Sequence, residues 1–283
     1  MEVLRGLLGK IISSDRVRLL ASVPIIGRPI RVMGNILVNR IGVIRVYNVG
    51  EIRIFLDCTS LPDDYMTVLG AVIEKIPIGG IFYDIGCHNG RYSLPVAKVV
   101  GEEGKVVGFE PNPARNRRTR RLIRMNQVGD IFELHEIALD MRLGYGTLYM
   151  PNEDYLASLS PEAALAKSRT SGNEEGRNER KNSITTTRVR TYRLDEYVME
   201  NNIRLSDVIK IDVQGAEYNV LVGAEAIIQQ ARPTIVIQVH VDLIREFGYS
   251  QEQLFALLHS WGYKVDTLGY RDRDLHIRAL PVR

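Results

Sequence analysis

The stretch Ile81-Phe82-Tyr83-Asp84-Ile85-Gly86-Cys87-His88-Asn89-Gly90 decides the fold of this chain. Ile81–Ile85 is a short apolar run broken by one aspartate, the pattern of a strand buried on both faces. Gly86 and Gly90 follow, four residues apart, and allow the backbone to turn sharply and a ligand to press against it. Tyr92–Val100 then reads as a helix. Strand, glycine turn and helix in that order form the opening of a parallel α/β unit, and such sheets bind ligands at the carboxyl ends of their strands. Asp84 stands at that end.

Downstream the alternation continues. Lys105–Glu110 reads as a strand, Ala114–Asn126 as a helix, and Phe132–Ala138 and Thr147–Met150 as strands. Thr187–Thr191 is a strand, Leu194–Asn201 a helix, Val208–Val213 a strand and Tyr218–Gln230 a helix. Thr234–His240 is the next strand and Ser250–Trp261 the next helix. Helices between strands impose right-handed crossovers and a parallel sheet. Lys264–Leu268 and Leu275–Leu280, joined without a helix, must pair antiparallel. The expectation is a Rossmann-like, mostly parallel seven-stranded sheet with an antiparallel terminal strand. Residues 151–187 are polar and interrupt the pattern, as a lid or a disordered loop would.

Upstream, residues 3–12 place Val3, Leu4, Leu7, Leu8, Ile11 and Ile12 on one helical face. That face suits the flank of its own domain or peripheral contact with a membrane. Gly42–Tyr47 and Glu51–Leu56 read as a hairpin around Asn48-Val49-Gly50, and Asp63–Lys75 as a helix. The organisation expected is 1–80, a helix, hairpin and helix packed on the core, and 81–283, the main domain.

Composition narrows the function. With 283 residues, 45% hydrophobic, 25% charged and a net charge of +3, the chain has material for a large core and too little positive charge to imply nucleic acid. Cys58 and Cys87 form neither a disulfide framework nor a metal-ligand pattern. No apolar run approaches the roughly 20 residues of a membrane span, and the start lacks a secretory signal. A cytoplasmic enzyme without a metal is the expectation.

The chemistry lies in two carboxylates. A dinucleotide loop presents three glycines and keeps acids from the pyrophosphate. Here an aspartate stands directly before two glycines. A carboxylate at that point repels a pyrophosphate and attracts the α-ammonium of an amino acid. S-adenosylmethionine carries such an ammonium and NAD does not, which disfavours a nicotinamide-dependent dehydrogenase. Glu110 ends the next strand, about 20 residues past the turn, where a carboxylate accepts hydrogen bonds from ribose hydroxyls.

The runs Phe82–Leu94, Gly108–Pro113, Ile137–Leu139, Leu194-Asp195-Glu196 and Ile209–Glu217 together resemble the FkbM family of methyltransferases, in order over most of the chain. The resemblance implies a class I methyltransferase fold and O-methylation of a sugar, glycan or other secondary metabolite. It implies that Asp84, Gly86, Gly90, Glu110 and Asn112 line the donor site, with Cys87, His88 and Tyr92 in the same turn and Ala138 beside the adenine. This chain departs from the family in three places. Cys87 and His88 stand inside the glycine turn. Gln214 replaces the glutamate after Asp212-Val213. Gln238 replaces a glutamate two residues before His240.

Asp212 ends its strand facing the acceptor side. Either Asp212 or His240 is a natural general base for a hydroxyl, and histidine has the more suitable ordinary pKa. Gln214 and Glu217 are assigned to the acceptor, with Glu217 alternatively a helix cap. Arg115, Arg117, Arg118, Arg120, Arg121 and Arg124 share a helix and are read as mostly outward. A solvated face explains them; an anionic partner such as RNA is the sharper alternative. The replaced acids leave a second alternative, a donor-binding protein without catalysis. Oligomeric state is not legible.

Overall fold

A computed structural model describes residues 44–49, 52–57, 61–150, 157–170 and 184–282. The amphipathic residues 3–12 lie outside the described residues. The chain divides into two compact units, one ending at Ser60 and one starting at Leu61. Within the first, β1 (Ile44–Val49) and β2 (Ile52–Asp57) pair antiparallel, Val49 opposite Ile52, which is the expected hairpin shifted by one or two residues.

The second unit opens with helix α1 (Tyr65–Ile73), followed by β3 (Ile81–Ile85), α2 (Ser93–Val100), β4 (Lys105–Phe109), α3 (Pro113–Met125) and β5 (Phe132–His135). Next come β6 (Ala138–Leu139), β7 (Gly144–Met150), α4 (Pro161–Thr170), β8 (Thr185–Tyr192), α5 (Leu194–Glu200) and β9 (Val208–Ile211). Helices α6 (Glu217–Gly223) and α7 (Glu225–Ala231), β10 (Thr234–Val239), a 3-10 turn (Ile244–Phe247), α8 (Gln251–Ser260), β11 (Tyr263–Arg271) and β12 (Asp274–Pro281) complete it.

Seven strands form one sheet in the order β11-β12-β10-β9-β3-β4-β5. β3, β4, β5, β9 and β10 run parallel, and β12 runs antiparallel to both neighbours. This is the expected class I methyltransferase architecture. The antiparallel strand is last in the chain but lies inside the sheet, because the hairpin inserts β12 beside β10 and leaves β11 on the edge. Every residue of β3, β9 and β10 is buried. Helices cover both faces of such strands, which is why these segments read as almost unbroken apolar text. The order reverses between β9 and β3, and that switch point is where a ligand crevice opens.

Three expectations change. The strand expected over 132–138 splits at Glu136-Ile137. β5 stays in the main sheet, while β6 joins a small second sheet, β6-β8-β7, packed on Ala138, Leu148 and Val189. The helix expected over 218–230 divides at Ala224, where a Cβ on the adjoining Gly223 would meet the Asp140 carbonyl oxygen at 2.3 Å. The polar segment 151–187 contains structure: Ser158 bridges Tyr149, and α4 follows with Ser160 Oγ accepting from Ala163 N. Low hydrophobicity hid α4, whose partner is the small sheet rather than the main core. Among the described residues no helix is long and apolar enough to cross a membrane.

Candidate active site at the carboxyl ends of the strands

The glycine turn is held against two strands at once. Gly86 N and Cys87 N both donate to the Phe109 carbonyl, at 2.9 and 3.1 Å. Gly86 has φ of 78°, and a Cβ there would lie 1.9 Å from the Asp212 carbonyl oxygen. The turn therefore packs directly on the end of β9, joining the two halves of the site.

Asp84 is completely buried. Its Oδ2 accepts from Ser93 Oγ at 2.6 Å, and its Oδ1 faces Lys210 Nζ at 3.5 Å without a hydrogen bond. Burial raises its pKa, although Lys210 and Ser93 oppose the rise. Lys210 is itself buried, 3.5 Å from Asp212 Oδ2 and 4.7 Å above the Tyr92 ring. Tyr92 stacks on Tyr65 of α1 with ring centres 5.2 Å apart.

Glu110 sits immediately after β4. His88 N donates to its Oε2 at 3.0 Å and Asn112 N to its Oε1 at 2.9 Å. Each oxygen keeps further lone-pair capacity, which a pair of ribose hydroxyls can use. Burial raises the Glu110 pKa against the opposing pull of Arg115, whose Nη1 lies 3.8 Å away. Asn112 caps α3 by accepting from Ala114 N at 2.9 Å. Burial pushes the Cys87 thiol well up, helped by Asp84 and Glu110, so it stays protonated. Burial, with Arg115 and Arg91, pulls the His88 imidazole well below its ordinary pKa and keeps it neutral. Ala138 lies three residues beyond β5, buried against Leu148 and Val189.

Across the switch point the acceptor-side residues converge on His240, which is fully buried. Its Nδ1 lies 2.7 Å from Oε1 of Glu217, also fully buried, and that same oxygen accepts from Gly215 N at 3.0 Å. Gln214 Nε2 lies 2.9 Å and Gln238 Nε2 3.3 Å from His240 Nε2. With Nδ1–H donated to Glu217, Nε2 is the accepting nitrogen of the ring, and its single lone pair is shared between the two amide N–H groups. Asp212 Oδ1 stands 3.7 Å from the same nitrogen, and Gln214 Nε2 donates to it at 3.4 Å. Ser158 Oγ donates to the Gln214 carbonyl at 3.1 Å, so the segment before α4 is fastened to the acceptor loop. Among the described residues no cluster of His, Cys, Asp and Glu is arranged to hold a metal ion.

The residues singled out from the sequence thus form two adjoining groups, one around Asp84 and Glu110 and one around Asp212 and His240. Glu217, read as an acceptor-binding residue or a helix cap, is buried at the start of α6, where its Oε1 both accepts from Gly215 N and lies 2.7 Å from His240 Nδ1. Arg115 is not outward either, because its guanidinium is buried against Glu110. Arg117, Arg121 and Arg124 are exposed, and Arg120 pairs with Glu136 at 2.7 Å. Sequence reasoning missed Ser93, Lys210 and Asp274. Lys210 had a signal: alternating with Asp212 in an otherwise apolar strand, it shares a face with it. Asp274 had none, because strand pairing alone brings it near Gln238.

The fit to an adenosyl-type methyl donor rests on these atoms. A carboxylate at Asp84 suits an ammonium, and Glu110 has lone-pair capacity for a ribose diol. Residues 84–265 match the family model described as the methyltransferase FkbM domain. The curated AMB antimetabolite synthetase AmbE of Pseudomonas aeruginosa is 27% identical over 67% of this chain. This chain spans 10% of that relative's length. The solved methyltransferase FkbM from Methylobacillus flagellatus is 14% identical, with a TM-score of 0.47 over 77% of this chain and 56% of its own. A SAM-dependent methyltransferase from Aquifex aeolicus is 12% identical, with a TM-score of 0.41 over 78% of this chain and 94% of its own.

Proposed function

For a chain that belongs to the FkbM methyltransferase family, we propose O-methylation of a hydroxyl on a sugar, glycan or other secondary metabolite, with His240 as the proton acceptor. The donor of a methyltransferase of this family is S-adenosylmethionine, which supplies a methyl carbon made electrophilic by its sulfonium. Asp84 binds the donor ammonium, and Glu110 binds the ribose hydroxyls. The glycine turn lets the backbone approach the donor closely.

One observation carries the assignment of the base: His240 Nδ1 is 2.7 Å from the buried Glu217, which leaves Nε2, 3.7 Å from Asp212 at the switch point, as the nitrogen that can take a proton. An aliphatic hydroxyl must lose its proton as it attacks, and a positioned imidazole contributes about 10²–10⁴-fold to such a step. Glu217 fixes the ring and stabilises the imidazolium as it forms, a role like that of the aspartate in hydrolase triads. Alignment of the attacking oxygen with the methyl carbon supplies much of the remaining acceleration. The antimetabolite synthetase among the relatives supports a metabolite as the acceptor. A buried free thiol at Cys87 suits a cytoplasmic setting.

The test is transfer of labelled methyl from S-adenosylmethionine to a panel of sugars and glycosides. His240→Gln is expected to retain donor binding by calorimetry and to lose at least about 10²-fold in turnover. Transfer to bulk RNA instead of the panel would replace the acceptor class, and full turnover by His240→Gln would remove the base.

A further inference from the structure

The surroundings of His240 Nε2 are nearly symmetric. On one side Gln214 spans the nitrogen, at 2.9 Å, and Asp212 Oδ1, at 3.4 Å. On the other Gln238 spans it, at 3.3 Å, and Asp274 Oδ2, at 3.2 Å. Each amide has two N–H groups, one for the ring and one for its carboxylate. Both carboxylates stand 3.7 Å from Nε2. Asp274 opens β12, and the antiparallel register that sets His276 opposite Gln238 brings Asp274 to the same face.

We propose that Asp274, through Gln238, is a second acidic positioning residue of the proton-accepting site, matching Asp212 on the opposite flank of His240. The inference rests on His240 being the base. In the reaction the acceptor O–H bond breaks and an Nε2–H bond forms, while the methyl–sulfur bond breaks and the oxygen–methyl bond forms. The sulfonium becomes a neutral thioether, and one positive charge passes to the imidazole. A carboxylate beside Nε2 interacts more strongly with that product-like state than with the neutral ring, so it accelerates the step as well as holding the ring in place. Gln238, a glutamine where a glutamate was expected, thereby keeps a negative charge within reach of His240: the charge stands one hydrogen bond further away, on a residue 36 positions along the chain.

The other groups facing the ring are Glu217 from α6 and Asp212 after β9, with Lys210 behind Asp212. His276 of β12 stands behind Gln238, its Nε2 3.0 Å from Asp64 Oδ2.

Asp274→Asn keeps one oxygen for the Gln238 amide, removes the charge and replaces the second oxygen with an amide nitrogen, whereas Asp274→Glu keeps the carboxylate. The His240 ring, identified by its loss in His240→Gln, is followed by NMR through a pH titration of the protein without ligands. Its midpoint is expected to fall by at least about half a pH unit in Asp274→Asn and to return in Asp274→Glu, with the donor dissociation constant within about twofold of the parent. With an acceptor from the sugar panel, kcat is expected to fall about tenfold at unchanged donor KM, and the acid limb of its pH profile to move with the ring. An unmoved His240 titration would overturn the inference, as would a moved titration with unchanged kcat. Full turnover by His240→Gln would instead remove the reading beneath it, leaving the measured coupling of Asp274 to the ring intact.

Discussion

Gly86→Ala is the most demanding test of how the two halves of the site are joined. The substitution adds one carbon at a residue with φ of 78°, 1.9 Å from the Asp212 carbonyl oxygen. Two costs arise. A left-handed backbone costs an L-residue about 1–2 kcal/mol. The clash is with main chain, which cannot rotate away, so β9 or the turn must shift by about 1 Å, an overpacking cost of about 1–3 kcal/mol. Gly248 separates the two terms: its φ is 84° and ψ 16°, yet a Cβ there meets nothing within 4 Å. Gly248→Ala should therefore show the backbone cost alone. By urea unfolding, Gly86→Ala is expected to be the less stable of the two by about 1–3 kcal/mol. In Tm that is roughly 2–12 °C for a domain of this size. Calorimetry with S-adenosylhomocysteine should show at least about tenfold weaker binding in Gly86→Ala and parental binding in Gly248→Ala, since 1.4 kcal/mol suffices for tenfold. Equal stability of the two variants would refute the claim that the glycine turn rests on the β9 backbone. Lost stability with parental binding would refute the claim that this contact shapes the donor site.

Two further predictions concern charge. Glu217→Gln should leave donor affinity unchanged and lower turnover by about 10²-fold or more, measured with labelled donor, because the amide neither orients nor stabilises the imidazolium as the carboxylate does. Donor binding should depend on pH in a defined direction. Asp84 and Glu110 have pKa values raised by burial, so raising the pH ionises them and burdens the empty folded state with buried charge. Their contribution to folding is fully present below the ordinary carboxylate range and is lost as pH rises through the raised values. A cationic donor favours the ionised forms, so its affinity should rise with pH through the same interval. It should level off before the donor amine loses its proton, near about 7.7–8.0. Titrations in buffers of different ionisation enthalpy should show proton release on binding at the acid end. Asp84→Asn should weaken binding and flatten the dependence, and a pH-independent affinity in the parent would contradict the assignment.

The core strands were legible because their composition states their environment. Ile81–Ile85, Val208–Ile211 and Thr234–Val239 are apolar on both faces, and a parallel sheet between two helix layers is what such runs form. Asp84 and Glu110 stood out as candidate donor carboxylates because they mark strand ends, where open sheets bind ligands whatever the loop details. Helix α4 was not, since it lies in a polar stretch and contacts the minor sheet at β7. The break between β5 and β6 was not, because Phe132–Ala138 mixes apolar and polar residues as one strand does, although its two ends join different sheets.

By itself, the sequence determined the alternating strands and helices of the main sheet and the glycine turn, and it marked Asp84, Glu110, Asp212 and His240 as candidates by their places at strand ends. These are local properties: periodicity, turn chemistry and distance from a strand end. Tertiary structure decided what each side chain meets. It set Glu217 against His240, drew Arg115 inward to Glu110, set Lys210 between Asp84 and Asp212, and delivered Asp274 to Gln238 through the register of β12. Such contacts join residues far apart in the chain, and no local pattern records them, because pairing register is fixed by the packing of the whole sheet.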